Sequence, residues 1–80
     1  MLKLFQAEWC PYCARVRSKM TELCVNYVCM NVPRSKAERK ELLEASSQAG
    51  IPTLVCEDGA LICDDDDAII AYLEKHHAGH

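Results

Sequence analysis

The chain has 80 residues, half of them apolar and 26% charged, which is enough for one domain around one small core and too little for two. Its formal net charge of −3 argues against a nucleic-acid partner, which relies on clustered Lys and Arg. The apolar residues Leu2, Leu4 and Phe5 give way at Gln6, too early for a signal peptide or a membrane span, so the expectation is a single cytoplasmic domain over residues 1–80, with no membrane contact and monomeric.

Leu2 to Phe5 reads as a first strand. Cys10-Pro11-Tyr12-Cys13 follows and opens a segment in which Cys13, Val16, Met20, Leu23 and Cys24 recur at helical spacing, with Arg15, Arg17 and Lys19 on the other face. Pro11 suits a first helical turn, where its missing N–H has no intrahelical partner. A thiol at that helix start meets unpaired backbone N–H groups and the positive end of the macrodipole, which favours the thiolate. Cys10 is therefore the candidate exposed nucleophile, and Cys13, one turn on, the candidate resolving thiol.

Val25 to Val32 reads as a second strand ended by Pro33, and strand, helix, strand implies a right-handed parallel crossover. Ser35 and Glu38 have the spacing of a capping box, predicting a second helix through Leu42, Leu43 and Ala45 to about Gly50. Leu54 to Cys56 and Ala60 to Cys63 flank Asp58-Gly59, a hairpin signal; with those two as the loop, Glu57 pairs with Ala60 and Leu54 with Cys63. The run Asp64 to Asp67 caps a last helix carrying Ile69, Tyr72, Leu73 and His76 on one face. His76, His77 and His80 read as a solvated end without a catalytic role. The order βαβαββα predicts an α/β fold, a four-stranded mixed sheet with three helices.

Six cysteines in so short a chain also fit a disulfide framework, but the long periodic segments already supply a core. Cys24, Cys29, Cys56 and Cys63 are then expected to be reduced and packed as small apolar residues.

Trp9-Cys10-Pro11-Tyr12-Cys13, Gly50-Ile51-Pro52-Thr53 and the acidic start at Asp64 to Asp67 together resemble the glutaredoxin family of the thioredoxin fold. The stretches Ile51 to Val55 and Asp65 to Leu73 are also similar to the N-terminal half of glutathione transferases, whose further helical domain 80 residues would not hold if they are the full protein. The resemblance implies a thiol–disulfide oxidoreductase with Cys10 and Cys13 catalytic, needing no cofactor beyond glutathione as co-substrate. It implies that Pro52 is a cis proline beside Cys10, that the backbone of Ile51 pairs with an incoming peptide or glutathione, and that Asp65 and Asp66 hold the γ-glutamyl end. Trp9, Pro11 and Tyr12 are expected beside the bound substrate.

The chain departs from the family at Gln6-Ala7-Glu8, where many glutaredoxins carry a lysine that holds a glutathione carboxylate. Arg15, Arg34 and Arg39 are the candidate replacements, and Glu8 would oppose the thiolate if it lies close to Cys10. Trp9-Cys10 looks more like redoxins served by thioredoxin reductase, so the donor is either glutathione or that reductase, with disulfide-containing proteins as substrates. Two other readings stay open: a module holding zinc, copper(I) or an iron–sulfur cluster through its thiols, and a glutathione-binding domain without turnover.

Overall fold

A computed structural model describes residues 1–77. Its elements are β1 (Leu2–Gln6), α1 (Pro11–Glu22), β2 (Tyr27–Asn31), α2 (Lys40–Ser46), β3 (Thr53–Val55), β4 (Leu61–Cys63) and α3 (Asp66–His77). The strands lie in the order β2-β1-β3-β4, with β1 and β2 parallel and the other neighbours antiparallel. This is the thioredoxin-like fold, four mixed strands and three helices, in the chain order read from the sequence.

Alternation along the strands sorts side chains onto two faces. Leu2, Leu4 and Leu54 pack with Val16 and Met20 of α1 and with Ile69 and Leu73 of α3, all essentially inaccessible, and this is the main core. On the opposite face Phe5 meets Leu42 of α2 around a cavity of about 250 Å³.

The helix ends depart from expectation for local reasons. Cys24 does not extend the apolar face of α1: it sits just past the helix end at φ 56° and is exposed. Val25 N–H donates to Met20 O and Cys24 N–H to Thr21 O, the Schellman arrangement that closes a helix, with cysteine where glycine is usual. The Ser35–Glu38 capping box does not form. Ser35 makes no side-chain cap, Lys36–Glu38 is a 3-10 turn, and α2 starts only at Lys40 and stops at Ser47. Arg39 explains the break. Its buried guanidinium donates to the carbonyls of Pro33, Arg34 and Ala49, which takes residue 39 out of any continuous helix.

In the hairpin the loop has three residues, not two. Cys56 N–H donates to Ala60 O and Gly59 N–H to Cys56 O, while Gly59 takes φ 90°, the left-handed position that closes a three-residue turn. The register therefore shifts by one, to Thr53↔Cys63, Leu54↔Ile62 and Val55↔Leu61. Cys56 and Cys63 still do not face each other.

Candidate active site

Cys10 is the N-cap of α1 and Pro11 its first residue, and Ala7, Glu8 and Trp9 join them to the C-terminal end of β1. The Cys10 sulfur occupies the place a serine or aspartate oxygen usually takes at a helix start: Cys13 N–H donates to Cys10 Sγ at 3.3 Å. A fixed backbone donor thus faces the sulfur on which negative charge would develop. Cys13 lies on the buried side of α1 at 0% exposure, and burial, reinforced by its hydrogen bond with Cys10, pushes its thiol up to about 12.

The expected exposure of Cys10 is corrected: only 6% of the residue is accessible. It packs in a small cluster with Ala7 and Cys13, against which Ile51 leans, and presents itself through the wall of a groove. This groove, about 530 Å³, is lined by Trp9, Cys10, Pro11 and Tyr12 on one side, Arg34, Lys36 and Arg39 on another, and Gly50, Ile51 and Asp64 on the third. Trp9 and Tyr12 are both about half exposed, at 47% and 59%.

The Ile51–Pro52 bond is cis. Pro52 is buried behind the groove, its carbonyl accepting from Asp64 N–H at 2.9 Å. Neither the N–H nor the C=O of Ile51 has a hydrogen-bond partner among the described residues, so a backbone donor and acceptor stand open beside Cys10.

The acidic run divides its labour. Asp65 caps α3, its Oδ1 accepting from Ala68 N–H at 3.0 Å. Asp66 and Asp67 are bridged by Arg15 of α1. The aspartate that reaches the groove is Asp64, at φ 52°, and not Asp65 or Asp66. Asp64 crosses close over Gly50, where an added Cβ would fall 2.5 Å from its Cγ, so any side chain at position 50 would push that carboxylate away.

Of the candidate replacement cations, Arg15 is engaged with α3 and Arg39 is spent on three carbonyls. Arg34 stacks over the Trp9 ring, 4.6 Å from its centroid, and faces the groove with Lys36, a residue to which the sequence reading gave no role because nothing in its spacing ties it to the thiols. Glu8 lies outside the groove and pairs with Arg17 at 3.0 Å. All six thiols are free; Cys24 and Cys29 are exposed, against the expectation that they pack inside, while Cys56 is buried. Among the described residues no three His, Cys, Asp or Glu side chains converge as a metal site would require, and no helix is long and apolar enough to cross a membrane. His80 lies outside the described residues.

Residues 4–80 match the family model of the glutathione S-transferase N-terminal domain. The chain belongs to this family. It is 24% identical over 75 residues to an uncharacterized glutaredoxin-like 8.6 kDa protein from the rubredoxin operon of Clostridium pasteurianum, covering 94% of this chain and all of that one. It superposes on glutathione transferase E6 from Drosophila melanogaster with a TM-score of 0.83 at 32% identity, and on a glutathione transferase family member from Pseudomonas fluorescens, solved with bound glutathione, with 0.85 at 23%. All of this chain is covered in both, but it spans only 36% and 40% of those proteins. The match thus takes in the whole of the glutaredoxin-like relative, and the structural likeness is to the part of the transferases that carries the N-terminal domain.

Proposed function

We propose that this protein is a cytoplasmic thiol–disulfide oxidoreductase that reduces protein disulfides or glutathione mixed disulfides. The observation that carries the reading is the Cys10 sulfur held at a helix N-terminus, with the Cys13 N–H donating to it and the open Ile51 backbone beside it. In the exchange, Cys10 Sγ as thiolate attacks one sulfur of the substrate disulfide, and the other sulfur leaves as a thiolate that takes up a proton. Cys13 then gives up its proton and attacks Cys10 Sγ, releasing the second substrate thiol and leaving a Cys10–Cys13 disulfide; alternatively, where Cys10 has become joined to glutathione, a second glutathione thiolate attacks the glutathione sulfur, forming glutathione disulfide and releasing Cys10 as the thiolate. Two glutathiones, or thioredoxin reductase, return the disulfide to the dithiol. No metal or organic cofactor enters.

The groove favours glutathione as donor. Arg34 and Lys36 supply positive charge for a carboxylate, Asp64 supplies negative charge for an ammonium, and Ile51 offers backbone bonds to the cysteinyl unit. Binding without turnover is the second reading, favoured by the low exposure of Cys10. A coupled assay with glutathione and its reductase, run beside one with thioredoxin reductase, separates them. The expected result is turnover with the glutathione system, lost in Cys10→Ser. Cys13→Ser should retain reduction of glutathione mixed disulfides and lose most reduction of protein disulfides. Turnover with neither donor, or full activity in Cys10→Ser, overturns the assignment.

A further inference from the structure

β2 is an edge of the sheet, hydrogen-bonded to β1 alone. Val32 N–H donates to Gln6 O, and Gln6 stands level with Asn31. In a parallel ladder this sets the alternation: Val28, Met30 and Val32 turn their N–H and C=O groups toward β1, and Tyr27, Cys29 and Asn31 turn theirs outward. A row of backbone donors and acceptors therefore lines the open edge.

Nothing guards it. The β1–β2 register runs without a bulge, and Leu23 to Pro33 carries no charged residue. Edges are ordinarily kept from pairing by lysines, internal prolines, bulges or brevity. The opposite edge has such protection: β4 is three residues long and lies between Glu57-Asp58 and the run Asp64 to Asp67.

We propose that the β2 edge binds a second copy of the chain, antiparallel, about a two-fold axis at Cys29, to give one continuous eight-stranded sheet. The strand is complementary to itself in this register. Cys29 faces the partner's Cys29, and Tyr27 faces the partner's Asn31, so every outward-facing residue falls in a pair that exchanges two hydrogen bonds. Val28, 38% exposed, lies opposite the partner's Met30, and both belong to the α2 side of the sheet, so apolar side chains meet across the axis. A slip of one residue would set that face against the polar side carrying Asn31. A slip of two would forfeit one of the hydrogen-bonded pairs. The contact is isologous and closes at two chains. The acidic edge does not oppose it, lying three strands away, about 14 Å at ordinary strand spacing, and Arg17 and Glu8, the charged groups that act on Tyr27, pair with each other.

The test is light scattering on the full reduced chain over a wide concentration range, with Cys29→Lys and Cys29→Pro in parallel. Wild type should show twice the mass of one chain when concentrated and half of that on dilution. Both variants should stay at one-chain mass throughout. Lysine puts like charges face to face on the axis. Proline removes an N–H that points away from β1 and so costs the single chain no ladder bond; if it nevertheless fails to fold, Cys29→Lys decides alone. A bismaleimide should link Cys29 to the partner's Cys29, identified by peptide mass, with the link lost on dilution. One-chain mass at every concentration overturns the proposal, as does a dimer that survives Cys29→Lys. Protection of β2 amides only on adding an extended peptide also overturns it, and assigns the edge to such peptides.

Discussion

Cys13 shows how much one buried thiol can report. Its thiol is pushed from the ordinary 9.0 to about 12, first by burial and then by its hydrogen bond with Cys10. The unfolded chain releases this proton near 9 while the folded chain holds it to about 12, so folding gains stability from Cys13 that is complete below pH 9 and drains away as pH rises toward 12. Urea midpoints measured from about pH 8 to about pH 11 should therefore fall more steeply in wild type than in Cys13→Ala. Equal slopes would show that the thiol is not held protonated by the fold. Residue types announced the chemistry here, since Cys10-Pro11-Tyr12-Cys13 at a helix start is legible without coordinates. Exposure was not: the cover over Cys10 comes from Ala7 and Ile51, and Ile51 is 41 positions away in sequence. Nor could spacing tell Asp64 from Asp65 and Asp66, because the choice depends on a left-handed backbone at Asp64 and its approach to Gly50.

Among the elements, α1 carries a correctable cost at its end. Cys24 adopts φ 56° in the Schellman turn, a conformation that crowds any Cβ, and its exposed side chain contributes nothing to the core. Cys24→Gly should stabilise the chain by about 1 kcal/mol, read as a higher urea midpoint; a fall would mean the thiol makes contacts that its position does not provide. The strands and the two long helices were legible because period-two and period-3.6 patterns belong to the segments themselves. α2 was less so. A capping-box spacing at Ser35 and Glu38 is only a local preference, and Arg39 overrides it by gathering carbonyls from both ends of the segment. The hairpin register failed by one residue for a related reason: Asp58-Gly59 marks a turn, but whether Gly59 closes a two-residue or a three-residue loop is decided by the ladder on either side.

Taken whole, the fold brings four separate segments to the start of α1: the Trp9 turn, the Arg34–Lys36 segment, Gly50 and Ile51 before β3, and Asp64 between β4 and α3. That convergence makes a site out of residues that carry no signal singly, Lys36 above all, and it belongs to the crossover topology more than to any motif. Family membership agrees with the architecture, since the match runs over residues 4–80. The central claim is that one of six free thiols, among the least exposed, is the reactive one. It is tested most directly by incubating Cys13→Ser with glutathione disulfide and mapping the adducts by peptide mass at early times. Modification of Cys10 ahead of the exposed Cys24 and Cys29 is the result predicted; adducts on Cys24 and Cys29 with Cys10 untouched would contradict it.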